Sequence, residues 1–213
     1  MARGKKRATP EVSSGSMADI AFLLLIFFLV TTTIANDKGI AMLLPPPPDP
    51  NQEQIDIKLQ ERNIFTILAN SQDKLLVEKE PYTGTMDELK EEVKKFVLNF
   101  GNPSPEGIEV YNSLPPSLKS YVNRNGKLEE SSDDPTSGNA VVSFKANRGT
   151  SYDLYINVLD AVNAAYNEIY AERVGITVDE WLQLDRDDDI QADMYQRARQ
   201  GIPRAISIAE PDK

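Results

Sequence analysis

The 213-residue chain contains neither cysteine nor histidine. Without cysteine there are no disulfides, thiolate zinc sites, iron–sulfur clusters or cysteine nucleophiles. Without histidine the usual zinc ligand and the commonest general base at neutral pH are gone. A Ser-His-Asp hydrolase triad and a His-based metal centre are therefore both excluded. Positive charge is short as well: 23 Lys and Arg face 33 Asp and Glu, a formal net of -10, with a pI near 4.6. That balance argues against a nucleic-acid partner, because phosphate contacts need a basic face. No P-loop, dinucleotide-binding glycine pattern or Gly-x-Ser-x-Gly is present, so neither enzymatic activity nor a cofactor is expected. Hydrophobic residues at 40% and charged residues at 26% argue against wholesale disorder. The length suits one modest domain with accessories, or two small ones.

One long apolar run stands out. Residues 1–18 hold Arg3, Lys5, Lys6 and Arg7 against Glu11 alone, a net of +3, and a predominantly apolar stretch follows over 17–35. A helix rising about 1.5 Å per residue needs roughly 20 residues to cross a hydrocarbon core of about 30 Å. The stretch therefore predicts a transmembrane helix over 17–35, after a tail over 1–16. Its strictly apolar part, 20–30, also fits the core of a secretory signal peptide. Against cleavage, Thr33-Ile34-Ala35 is a poor small-x-small site, and threonine hydroxyls can bond carbonyls one turn back inside a membrane helix. A retained span is the reading taken. Basic residues precede it and only Lys38 lies just behind it, so the positive-inside rule leaves the N-terminus cytoplasmic and the bulk of the chain on the far side.

Within this run sits Asp19. A carboxylate deep in a bilayer costs about 2.5–3.5 kcal/mol even on a lenient insertion scale. At the headgroup level it would do no more than cap the helix N-terminus. Two features oppose that role: a span ending at Ala35 needs Asp19 in or near the core, and Ser13, Ser14 and Ser16 offer uncharged caps. The alternative is a proton carrier, since low dielectric disfavours the charged form of any carboxyl. Helical spacing puts Leu23, Ile26 and Val30 on the face of Asp19. One span cannot form a proton pathway, so a polytopic partner facing those residues is required.

The string Ser13-Ser-Gly-Ser-Met-Ala-Asp-Ile-Ala-Phe-Leu-Leu-Leu-Ile-Phe-Phe-Leu-Val30 resembles the N-terminal span of the ExbD/TolR family. The resemblance implies a short cytoplasmic tail, one span in the bacterial inner membrane and a small periplasmic domain. It further implies that Asp19 is the proton-carrying residue of a motor driven by the protonmotive force. The implied partners are an ExbB-type polytopic membrane protein, a TonB-type energy transducer, a second copy in a homodimer, and protons. The family's common Asn-x-Thr-Pro lead-in reads here Ser13-Ser14-Gly15-Ser16. The apolar stretch ending at Leu44-Pro45 also matches the family's post-membrane segment. Four consecutive prolines, Pro45 to Pro48, then read as a semi-rigid polyproline spacer within a linker over 36–62.

Beyond the linker the expectation is a periplasmic α+β domain over 63–213. Strand-type runs over 63–69 and 74–78 flank Asn70-Ser-Gln-Asp73, a hairpin turn. Thr85-Met-Asp-Glu88 is a capping box opening a helix with Leu89, Val93, Phe96 and Val97 on its core face. A strand over 140–146 and a helix from Ser151 follow, with Tyr152, Tyr155, Leu159, Val162, Tyr166 and Ile169 at core spacing. The last strand is 205–209, with Ile206 and Ile208 facing either the sheet core or a partner strand. This order predicts a small sheet with two helices packed on one face, similar to the ExbD/TolR periplasmic domain, down to the Lys145-Ala-Asn-Arg-Gly149 turn. Two insertions lie outside that pattern: 101–138, expected as a long irregular segment, and 175–202. Within the second, Asp185-Arg-Asp-Asp-Asp189 fails as a calcium loop because Ile190 and Gln196 stand where Gly and Glu are needed. A solvated acidic turn between short helices is expected there, and no metal site.

Three functions compete at this stage. The first is a motor subunit energising TonB-dependent transport, or, in a TolR-type role, maintaining outer-membrane integrity. The second is an anchored periplasmic scaffold without proton chemistry. The third is a secreted protein that loses its first 35 residues.

Overall fold

The computed structural model describes residues 14–31 and 60–209, which belong to two separate compact units. The first holds helix α1, Ser14–Thr31. The linker expected over 36–62, including its prolines, lies almost wholly outside the described residues.

The second unit is built on five strands: β1 Ile64–Ala69, β2 Leu75–Val77, β3 Glu80–Tyr82, β4 Val141–Ala146 and β5 Ile206–Ala209. Their order across the sheet is β3-β2-β1-β4-β5. The hairpin β1–β2 is antiparallel, whereas β1–β4 and β4–β5 are parallel, so helices must carry the chain back between them. The turn of the first hairpin forms as its residues dictate: Asn70 Oδ1 accepts from the backbone N–H of Gln72 and Lys74, an Asx turn. Strand β3 was not anticipated. Glu78 and Lys79, with φ of 50° and 72°, make a two-residue loop of the kind that normally calls for Asn-Gly, and neither residue advertises it.

Alternation along the strands sorts the faces. Phe65, Ile67, Ala69, Val142 and Phe144 are buried, while Thr66, Leu68, Val141 and Ser143 are half-exposed. Two helices cover the buried face, α2 Met86–Val97 and α5 Tyr152–Val174. Phe65 meets Phe96 of α2 at 5.3 Å between ring centres, and Phe144 meets Tyr155 of α5 at 5.4 Å. The Thr85–Glu88 capping box is fully formed, and Leu89, Val93, Phe96 and Val97 are buried as expected. Tyr152 is a correction: it is 75% exposed. As the first helical residue after the Ser151 cap, it sits at the open end of α5 rather than along its core face.

The first insertion is not irregular. It folds into α3 Pro105–Ser113 and α4 Pro116–Asn125, each admitted by a proline at a position where no intrahelical N–H is needed. Its return limb is stitched down by polar side chains. Asn99 donates to the carbonyls of Leu128 (2.9 Å) and Ser132 (2.6 Å) and accepts from Leu128 N–H. Asn63 and Asp133 exchange a pair of 2.9 Å bonds, and Arg62 adds an ion pair to Asp133. Buried Asp134 accepts from Ser104 N–H and from both the N–H and the hydroxyl of Thr136. A Cβ on Gly107 would lie 2.6 Å from the Asp134 carboxylate, so only glycine lets α3 approach it.

The second insertion forms α6 Val178–Leu182 and α7 Asp189–Arg199, with the acidic run as the exposed turn between them. Asp188 caps α7, accepting from the N–H of Ile190 and Gln191. Trp181 packs face to face on Tyr195 at 5.0 Å and tilted on Tyr170 at 5.4 Å, while its indole N–H donates to Asn167. Arg173 donates to the carbonyls of Ala198 and Gln200 at the end of α7. The insertions meet where Val110 of α3 fills the space that a side chain on Gly201 would need. The expected pair of helices on one face is therefore an inner layer, and α4, α6 and α7 pack outside it against α5. That explains why α5 buries residues on more than one side, from Val158 and Leu159 to Tyr170 and Ala171.

Between α2 and α5 lies a cluster of charges. Lys90 pairs with Glu168 at 2.7 Å, and Lys94 with Glu168 and Glu172 at 3.2 and 3.6 Å. Burial alone would raise the Glu168 carboxyl, but the two lysines outweigh it and hold it below its ordinary value, while Glu168 raises Lys90 above its own. A depressed carboxylate contributes stability that is present above its unfolded value and lost as pH falls through the folded one. Acid unfolding of the domain is therefore expected to be less steep in Glu168→Gln than in the parent below pH 4.5, the carboxylate's ordinary value. Thermal melts between pH 2 and 6 read this out, and coincident curves would remove Glu168 from the linkage.

Candidate functional site

Helix α1 brings together Asp19, Leu23 and Ile26, all exposed along its surface. Val30 lies in the same helix, with its side chain outside the described ones. The helix begins at Ser14, so Asp19 is its sixth residue, and no acidic residue occupies the first turn. The dipole effect and the unpaired N–H groups are confined to that first turn. An N-capping role for Asp19 is thereby removed: backbone N–H groups at this depth are already bonded within the helix. From Met17 to Phe27 every side chain other than Asp19 is apolar, and these side chains point outward on all sides. A helix without a polar face has no stable place at a protein–water boundary. Among the described residues no helix is long and apolar enough to cross a membrane. The expected span over 17–35 includes 32–35, which lie outside them.

The other predicted positions are on β5. Ile206 stands opposite Val142 and Ile208 opposite Phe144, so both point to the helix-covered face, where they are half-buried. Strand β5 has β4 on one side and is the outermost strand of the sheet. Val142 N–H donates to Ala205 O, and alternation along a parallel strand turns the N–H and C=O of Ile206 and Ile208 outward. Both parts of the dual expectation thus hold at once: the side chains face the core, and the backbone is open to a further strand.

No group of His, Cys, Asp or Glu among the described residues is arranged to hold a metal. Sequence reasoning missed the depth of Asp19 in its helix, because the helix starts before the apolar run does. The Ser-Gly-Ser lead-in carried no sign of helix.

Taken together, a helix apolar on every side with one carboxyl in its interior, followed by a separate α+β domain, defines a small class of anchored accessory subunits. The family model for the biopolymer transport protein ExbD/TolR matches residues 5–178, and the chain belongs to the ExbD/TolR family. The match runs through α1, the hairpin, the first insertion and α5, and ends in α6. Neither a curated protein nor a solved structure matches the chain. The family is one of biopolymer transport.

Proposed function

We propose that this chain is the single-helix subunit of a motor driven by the protonmotive force, working with an ExbB-type polytopic partner to energise TonB-dependent transport across the outer membrane. The observation that carries the reading is Asp19, a lone carboxyl in the interior of a helix otherwise apolar along its described side chains. In this reading α1 crosses the bacterial inner membrane with its N-terminus cytoplasmic, and the α+β domain stands in the periplasm. At about 1.5 Å per residue its 18 helical residues span about 27 Å, close to the thickness of a hydrocarbon core. Asp19 takes up a proton from one side, passes as a neutral group and releases it to the other. Leu23, Ile26 and Val30 form the face turned to the partner subunit, within a homodimer of this chain. The free edge of β5, at Ile206 and Ile208, receives a strand of the TonB-type transducer.

Energised uptake of an iron chelate or cobalamin tests the reading in cells lacking the chain and complemented with it. Uptake restored by the chain and collapsed by a protonophore is the expected result. Restored envelope integrity without restored uptake would assign the chain a TolR-type role instead. Uptake indifferent to the protonophore would leave an anchored scaffold without proton chemistry.

A further inference from the structure

The two edges of the sheet are built differently. Strand β3 has three residues, Glu80, Pro81 and Tyr82, and thus presents a charge and a proline, two of the devices by which natural sheets refuse further strands. Strand β5, Ile-Ser-Ile-Ala, carries neither. Its outward backbone groups at Ile206 and Ile208 leave a ladder that only an extended chain can complete. Directly beside the C-terminal end of this edge opens a pocket of about 380 Å³ lined by Ala146, Asn147, Thr150, Tyr152, Tyr155, Ile208 and Ala209. None of these residues carries a charge. Tyr152, 75% exposed, forms an aromatic wall with no hydrophobic core behind it to explain its place.

We infer that the strand received on β5 is an extended peptide segment carrying an uncharged apolar side chain, which seats in the pocket between Tyr152, Tyr155 and Ile208. The inference rests on the strand-docking reading above and adds selectivity to it. Backbone pairing alone accepts almost any extended sequence. The pocket admits aliphatic and aromatic side chains and rejects charged ones, because a buried charge without a partner is strongly disfavoured. Continuity of edge and pocket also sets the register, with the apolar residue lying beside Ile208.

The test uses the full chain in detergent and, as probe, overlapping 12-residue peptides spanning the periplasmic segment of the cognate TonB-type protein, with binding followed by fluorescence anisotropy. Ile206→Pro removes an outward donor at the first strand position, where proline is tolerated, and leaves the pocket lining intact. Tyr152→Ala removes an exposed wall and leaves the ladder intact. The inference expects a bound peptide whose affinity is lost in Ile206→Pro and falls about tenfold in Tyr152→Ala. Replacing the peptide's apolar residue by Ala should cost a similar factor in the parent and little further in Tyr152→Ala. Binding lost in Ile206→Pro but unchanged in Tyr152→Ala and in the Ala peptides would keep the docked strand and overturn the pocket. Binding of no peptide, or equal binding in Ile206→Pro, would overturn strand docking itself. A dimer paired through β5 that excludes the peptides would make a second copy the occupant and overturn the assignment to a partner.

Discussion

Replacing Asp19 by Asn is expected to abolish energised uptake of an iron chelate or cobalamin, with the protein present in the membrane at parental levels. Asn keeps the size and hydrogen-bonding reach of the carboxyl but cannot release a proton. The helix itself should not suffer. Asp19 is the sixth residue of α1 and lies beyond its first turn, so no cap is lost, and intrinsic helix preference differs little between Asp and Asn. One proton crossing a potential of 100 mV delivers about 2.3 kcal/mol, and a subunit that cannot load it delivers none. Asp19→Glu restores the chemistry but displaces the carboxyl by one methylene, and partial uptake is expected. Retained uptake in Asp19→Asn with a normal envelope would reduce Asp19 to a polar residue of an anchor. Retained uptake with a leaky envelope would keep the motor and assign it to a TolR-type role.

The second large effect is expected at the chain's only tryptophan. Trp181→Ala should destabilise the outer helical layer by about 3–5 kcal/mol, the usual cost of emptying a large aromatic site. Trp181 is 5% exposed and fills the space between Tyr170 of α5 and Tyr195 of α7. Its removal also leaves Asn167 with Arg204 as its remaining partner. Arg173 and the Tyr170 hydroxyl, which hold Ala198, Gln200 and Ile202, would then restrain α7 alone. Hydrogen exchange should speed up across α6 and α7 and stay slow in β1 and β4, because the inner helix layer and sheet keep their own core of Ile67, Leu89, Val93 and Phe144. Uniform acceleration through the whole domain would mean that the outer layer is an inseparable part of one cooperative unit.

The elements most legible in the residues were those whose signals are local. The Asn70 turn, the Thr85 capping box, the apolar face of α2 and the alternation of β5 each need no more than a few neighbours in sequence, and each formed as read. The insertion 101–138 was misjudged because its prolines and glycines suggest irregularity, whereas two prolines open helices. The contacts that hold it join residues about 30 to 70 positions apart, such as Asn99 with Ser132 and Asn63 with Asp133. The second capping box, Thr177 with Glu180, was there to be read and opens the helix that carries Trp181.

By itself the sequence determined that this protein works without histidine or thiol chemistry, that it has a single long apolar run, and that a carboxyl sits inside that run. Composition and local hydrophobicity decide these matters, and no folding is needed to state them. Only the tertiary structure decided how deep Asp19 lies in its helix, which edge of the sheet is open and which is closed by Glu80 and Pro81, and that the insertions form a second helical layer around α5. Those facts depend on which distant segments pack together. The free energy of packing is collected across the fold, and no short window of residues carries it.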